Sequence, residues 1–309
     1  MDAVQNTITQ LSSRFMVGQL NLRGFVSRHV LTKHGRVHVL DAKGRGSLPP
    51  LLVLHGFSAE ASYYDGVMLR MRPYVRRIVA PDLLGHGLSE MPREGLSEER
   101  LRHALLHAVD HVLDEPAIVF GNSMGGAAAL KLALLRPEKV KGLFLVAPGG
   151  AFMTQQEIQD LVSRFHLHTH DQALAFVDRL FAKPHPMRHV LAWGTRGQFE
   201  RPGLRNILET MRPDDLLTPE ELGSIRAPTQ VIWGAADRVL HASSLEFYRR
   251  HLPTHARVQV IDHYGHVPHM DYPEELHHRL LAFVKDVASG RATSAGRPNS
   301  SAISASVAP

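Results

Sequence analysis

Apolar residues follow two rhythms that alternate along the middle of this chain. Short continuous apolar runs recur at LLVLH (51–55), RRIVAP (76–81), AIVFG (117–121), GLFLVA (142–147), TQVIWG (229–234) and RVQVID (257–262). Between them lie segments with helical potential, such as SEERLRHALLHAVDHVL (97–113) and MGGAAALKLALLRPEKV (124–140). A strand buried on both faces has no side to show to water, so its sequence is apolar throughout rather than alternating. Runs of that kind interleaved with helices predict an α/β architecture, a parallel sheet with helices on both sides. Ligands in such sheets bind at the carboxyl ends of the strands.

The flanks and one insertion depart from this rhythm. Val4, Ile8, Leu11, Phe15 and Leu20 fall near helical spacing and predict an amphipathic helix over residues 1–22. FVSRHVLTKHGRVHVL (25–40) predicts a β-hairpin turning at His34-Gly35. From Ala151 to Ser224 the strands stop, leaving helical pattern broken at Pro184, Pro186, Gly194, Pro202 and Pro213. That stretch is too long for a connection. It is expected to form a helical cap (151–224) over the strand ends of a core made of 23–150 and 225–287. Residues 288–309, rich in Ser, Ala, Gly and Pro, have little to bury and are expected to form a disordered tail.

Composition narrows the classes. With 309 residues, 44% of them apolar, the chain can bury a sizeable core. It has no cysteine, which excludes disulfides, thiolate metal sites and a cysteine nucleophile. No apolar run reaches the roughly 18–20 residues of a membrane span. The first residues lack the basic-then-apolar order of a signal peptide, so a cytoplasmic protein is expected. The net charge of +5 is concentrated: residues 1–50 carry seven basic residues against Asp2 and Asp41, which accounts for the whole excess. Basic and aromatic residues are not interleaved as in a nucleic-acid interface, and no nucleic-acid partner is expected. A solvated surface is the plain account of the basic excess. The adjoining N-terminal helix adds a side expectation of weak contact with a membrane surface.

Candidate chemistry centres on Gly121-Asn122-Ser123-Met124-Gly125-Gly126, directly after the run AIVF and directly before AAALKLALL. A serine between glycines at a strand-to-helix turn is lifted above the sheet, because so tight a turn needs glycine flanks. The helix that follows aims its first N–H groups at the same spot. A serine hydroxyl needs a base and an orienting carboxylate to become a nucleophile. Asp237 follows TQVIWG, 114 residues after Ser123, and His266 follows RVQVID, another 29 residues on. His266 is preferred to His263 and His269 because it follows Gly265 and precedes the helix opened by Pro273-Glu274-Glu275. Asp82 is read as a turn-former in PDLLGHG. After LLVL, the loop His55-Gly56-Phe57-Ser58 is placed to supply an oxyanion donor, so the amides of Phe57 and Met124 are the expected pair.

The motifs HGFSA (55–59), PDLLGHG (81–87), GNSMGG (121–126), WGAADRV (233–239) and GH…DYP (265–273) together resemble the α/β-hydrolase family over residues 24–287. The likeness is nearest to the monoacylglycerol-lipase and carboxylesterase branch. GNSMGGAAAL and APGG also resemble the meta-cleavage C–C hydrolases, from which the loop HGFSAEAS and Val267 depart. The resemblance implies a mostly parallel eight-stranded sheet flanked by helices, with a helical cap inserted after strand six. It also implies a triad in the chain order Ser, Asp, His.

The expected function is therefore a serine hydrolase of carboxylic esters, working through an acyl-enzyme on a small-molecule ester with no metal or organic cofactor. Few fixed charges stand in the apolar stripes of the cap, which suits an apolar acyl portion. Gly56, Phe57, Phe152, Trp193, Val239 and Val267 are the expected pocket lining. His166, His168, His170 and His185 are read as a solvated surface of the cap rather than a zinc site. Two other readings keep the same residues: C–C bond hydrolysis of a vinylogous diketone, and a ligand-binding protein of this fold with negligible turnover.

Overall fold

The computed structural model describes residues 2–199 and 201–293. The chain opens with α1 (Asp2–Leu22), then a hairpin of β1 (Val26–Thr32) and β2 (Gly35–Lys43), then β3 (Leu51–Leu54). There follow α2 (Asp65–Met71), β4 (Arg77–Pro81), α3 (Glu98–Val112), β5 (Ala117–Asn122), α4 (Met124–Leu135) and β6 (Val140–Val146). A run of helices comes next: α5 (Gln155–Ser163), α6 (His170–Leu180), α7 (Arg188–Phe199), α8 (Pro202–Glu209) and α9 (Pro219–Gly223). The chain then returns through β7 (Thr229–Gly234), α10 (Ala242–His251), β8 (Arg257–Ile261), α11 (Pro268–Asp271) and α12 (Pro273–Ala288). One eight-stranded sheet has the order β1-β2-β4-β3-β5-β6-β7-β8. β2 pairs antiparallel with both β1 and β4, and the remaining pairs are parallel.

The continuous apolar runs are explained by the two faces of this sheet. Leu52, Leu54, Val119, Leu143, Leu145 and Val231 point to a core shared with α3, α4 and α10. Their neighbours Leu51, Val53, Ile118, Phe120, Phe144 and Ile232 point to a second core shared with α1, α2 and α12. Alternate residues of each strand thus enter opposite cores, as the two-residue period requires. A third cluster, including Ile158, Leu161, Phe176, Val177 and Phe199, lies within α5–α9 and takes in Val267 from the core.

Two boundaries differ from the sequence reading. The helix after Ser123 ends at Leu135, not at Val140. Pro137 cannot continue it and opens a 3-10 turn, so Val140 already begins β6. The chain beyond Ala288 also stays ordered for longer than a disordered tail would. Arg291 pairs with Asp286 at 2.9 Å and Ala292 packs on the second core, so residues 288–293 are held in place. The rest of that expected tail, 294–309, lies outside the described residues.

Phe144 is fully buried, with its ring centroid 6.1 Å from Phe120 and 5.7 Å from Phe283. Phe144→Ala leaves a cavity where β6 meets α12, and a loss of about 3–5 kcal/mol of stability is expected in urea unfolding.

Candidate functional site

At the end of β5 the chain turns so sharply that Ser123 adopts φ 54° and ψ −121°. A non-glycine residue there is strained, and the strain persists only because its surroundings leave no alternative. A Cβ on Gly121 would run into the Gly125 carbonyl, and one on Gly125 into the Leu54 carbonyl. Those contacts are the physical need for glycine on both sides of Ser123. The Ser123 carbonyl accepts from the Gly126 and Gly149 amides, each at 2.8 Å, and the turn is locked.

Asp237 and His266 come from loops that follow adjacent strands, β7 and β8. His266 Nδ1 lies 2.7 Å from Asp237 Oδ2, and both side chains are buried. The other oxygen, Oδ1, accepts the amides of Val239 at 2.8 Å and Leu240 at 3.2 Å, which fixes the carboxylate. With Nδ1–H directed at the carboxylate, Nε2 is the ring atom left to accept a proton. The His266 amide donates to the Leu180 carbonyl at 2.8 Å, and a Cβ on Gly265 would collide with the Leu180 and Ala182 backbone. The glycine before His266 is therefore what lets this loop lie against the end of α6.

Neither the Ser123 hydroxyl nor the amides of Phe57 and Met124 make a hydrogen bond among the described residues. The loop carrying Phe57 is set by His55, which is fully buried, contacts the Gly56 carbonyl through Nδ1 and accepts the Leu83 amide at Nε2. Burial pulls the His55 imidazole below its ordinary pKa. A Cβ on Gly56 would touch that of Ser123 at 3.4 Å, so this loop borders the serine.

Two residues of the site escaped the sequence reading. Asn122 Nδ2 donates to the Val146 carbonyl at 3.0 Å and to the His266 carbonyl at 3.1 Å. Its Oδ1 accepts from Tyr64 Oη at 2.8 Å, and that same hydroxyl accepts the Gly56 amide at 3.1 Å. Asn122 and Tyr64 thus join the loops of Gly56, Ser123 and His266. The available signal was a polar residue ending an otherwise apolar run, since a buried amide side chain must find partners. Asp82 does more than form its turn. Its carboxylate accepts from the Ala61 and Leu88 amides and His38 Nδ1, at 2.7, 2.9 and 2.7 Å. Burial pushes this carboxyl up, but the bond from His38, the nearby His38 and His55 rings and the Ala61 amide outweigh it and hold it below its usual range.

The expected pocket lining is only partly assembled. Gly56 and Phe57 border Ser123, Val239 is buried beside Asp237, and Val267 packs into the cap cluster. The Phe57 ring lies 5.4 Å from Phe199 and 5.8 Å from Phe165, and Phe176 completes this aromatic group. Phe152 and Trp193 stay outside it, 48% and 45% exposed, because their stretches of the cap turn those side chains to the surface. Beside Met124, a cavity of about 90 Å³ between α3 and α4 is lined by aliphatic residues including Leu83, Leu101, Leu105, Ala128 and Leu217. Of the cap histidines, His166 and His168 have ring centroids 6.0 Å apart, His170 pairs with His189 at 3.2 Å, and His185 packs on Phe181.

The alpha/beta hydrolase family model matches residues 51–279. The chain belongs to this family. It is 28% identical over 260 residues to the pimeloyl-[acyl-carrier protein] methyl ester esterase of Nitrosomonas europaea, covering 77% of this chain and 96% of that one. It is 25% identical over 268 residues to a monoacylglycerol lipase of Mus musculus, covering 79% and 78%. Among solved structures, a bacterial membrane phospholipase A superposes with a TM-score of 0.75 at 26% identity, covering 92% of each chain.

Tyr64→Phe leaves the Gly56 amide and the Asn122 carbonyl oxygen without their shared partner. A loss of about 1–3 kcal/mol for each buried group is expected in urea unfolding. His269, stacked on Tyr64 at 4.3 Å, is pushed down to about 3 by burial and by the neighbouring His266. The unfolded chain binds a proton there below pH 6.5 while the folded chain does not, so stability falls as pH drops from about 6.5 to about 3. His269→Phe keeps the stacked ring and is expected to flatten that acid limb by about 1.4 kcal/mol per pH unit.

Proposed function

We propose that this protein is a serine hydrolase of carboxylic esters with apolar acyl groups. The observation that carries the reading is the buried contact of His266 Nδ1 with Asp237 Oδ2, in a loop that Asn122 ties to the strained turn at Ser123. In this reading His266 Nε2 takes the Ser123 proton as Oγ attacks the ester carbonyl. The Phe57 and Met124 amides hold the oxyanion, one donor from the loop after β3 and one from the first residue of α4. Collapse expels the alcohol, which receives the proton from His266, and leaves the acid esterified to Ser123. His266 then deprotonates a water that attacks this acyl-enzyme, and the acid departs as Oγ regains its proton.

The acyl preference rests on the apolar surroundings. Phe57, Phe165, Phe176 and Phe199 form an aromatic wall, and the cavity beside Met124 is lined mostly by apolar residues. The charged groups that line the cavity already have partners: Lys131 with Glu221 at 2.9 Å, Arg102 with Glu98 at 3.2 Å, and Asp215, which accepts the Arg212 amide at 2.8 Å. Such a lining favours a hydrocarbon chain over an anionic or sugar group. The three similar proteins point the same way, since each is named for an ester or lipid that it cleaves.

Hydrolysis of 4-nitrophenyl esters from acetate to palmitate tests the proposal. Wild-type protein is expected to turn over medium or long esters best, and Ser123→Ala to lower kcat by about 10⁶. Asp237→Asn is expected to cost about 10⁴, because the imidazole loses the partner that fixes its tautomer. A folded wild-type protein that cleaves none of these esters overturns the reading. Turnover of a vinylogous diketone would then identify C–C hydrolysis, and tight ligand binding without turnover a receptor.

A further inference from the structure

The inner face of α1 is well anchored. Val17 and Leu20 are buried in the second core, and the Ser13 hydroxyl donates to the buried Glu60 carboxylate beyond the Phe57 loop. The outer face should then be polar, as it is in most surface helices. It is not. Leu11, Phe15 and Leu22 lie on one stripe and are 58%, 64% and 83% exposed. The helix therefore has apolar residues on both sides, and the outward ones contribute nothing to the folded core. α7 packs against α1, and its Val190 is also 60% exposed. An exposed apolar stripe such as that of Leu11, Phe15 and Leu22 marks an interaction site.

Charge identifies the occupant. At the carboxyl end of α1, the Arg72 guanidinium donates to the carbonyls of Arg23 and Lys43, and the Arg45 amide donates to the Arg72 carbonyl. This backbone clamp gathers Arg23, Lys43, Arg45 and Arg72 beside Leu22. Arg14 stands next to Phe15 on the same helix. Among the described residues none of these five side chains forms an ion pair. An exposed apolar stripe flanked by unneutralised cations matches an interface with acidic headgroups, where the apolar residues enter the acyl boundary and the cations meet phosphates. A two-fold pairing of the same face would instead bring two cationic clusters together.

We propose that α1 docks this protein on an anionic lipid bilayer through Leu11, Phe15 and Leu22, with Arg23, Lys43, Arg45 and Arg72 against the headgroups. This surface is separate from Ser123, Asp237 and His266, and the proposal stands whether or not the chain cleaves esters.

Co-sedimentation of the full chain with phosphatidylcholine vesicles, alone or with about 30 mol% phosphatidylglycerol, tests it. Wild-type protein is expected to partition about tenfold or more in favour of the anionic vesicles, with the difference lost in high salt. The variant Leu11→Asp/Phe15→Asp/Leu22→Asp is expected to lose that binding while keeping its thermal unfolding transition. Arg23→Gln/Lys43→Gln/Arg45→Gln leaves the apolar stripe intact and is expected to fall to the level seen with neutral vesicles. It decides the matter alone if the first variant fails to fold. Equal binding of wild-type protein to both vesicles, absence of binding, or cation variants that bind as wild type does overturn the proposal. So does a wild-type dimer that the aspartate variant dissociates, with no vesicle binding, because the stripe then belongs to a second copy.

Discussion

The side-chain amide of Asn122 is the junction on which the geometry of the site depends. It donates to carbonyls at the end of β6 and in the loop after β8, and accepts from the Tyr64 hydroxyl, which in turn holds the Gly56 amide. The loops after β3 and β8 thereby refer their positions to one residue, immediately before Ser123. Every one of these polar groups is buried, so each must be paired, and the pairing specifies a single arrangement. An apolar residue of the same size would fill the space without choosing that arrangement.

Backbone strain collects around the same junction. The non-glycine residues with positive φ among those described are Ser58, Ser123 and Ala147, at 57°, 54° and 42°. They follow β3, β5 and β6, which lie side by side in the sheet. Each strand in this group leaves the sheet by a turn that ordinary residues resist, while the sheet below is packed on both faces with fully buried side chains. A rigid double core is what can hold three such turns in place.

The cap is bound to the same loops rather than laid over them. Arg164 donates to the Val239 carbonyl at 2.6 Å and Arg238 to the Phe181 carbonyl at 3.0 Å, while the His266 amide reaches Leu180. A displacement of α6 is thus transmitted to the backbone of His266 itself, and a displacement of α5 to the segment that hydrogen-bonds Asp237. Cap and candidate base are thus mechanically coupled, through one main-chain bond to His266 and two arginine side chains that reach main-chain carbonyls across the boundary.

Much of this was legible in the amino-acid order. Short apolar runs without polar alternation, interleaved with helical segments, mark strands covered on both sides, and glycines around Ser123 announce a turn that no other residue could make. Asp237 and His266 were legible because they follow strands at the expected edge. What the sequence could not decide were contacts between residues far apart in the chain. Tyr64 and Asn122 look ordinary until a fold places their polar atoms together, and Phe165 and Phe199 join Phe57 only through the way the cap helices turn. The same turn leaves Phe152 and Trp193 at the surface. In α1 the periodicity marked an apolar stripe, but helical spacing is indifferent to which side meets the core. Only the tertiary structure decided that Val17 and Leu20 face inward and Leu11 and Phe15 outward, because the docking of Ser13 on Glu60 fixes the rotation of the helix.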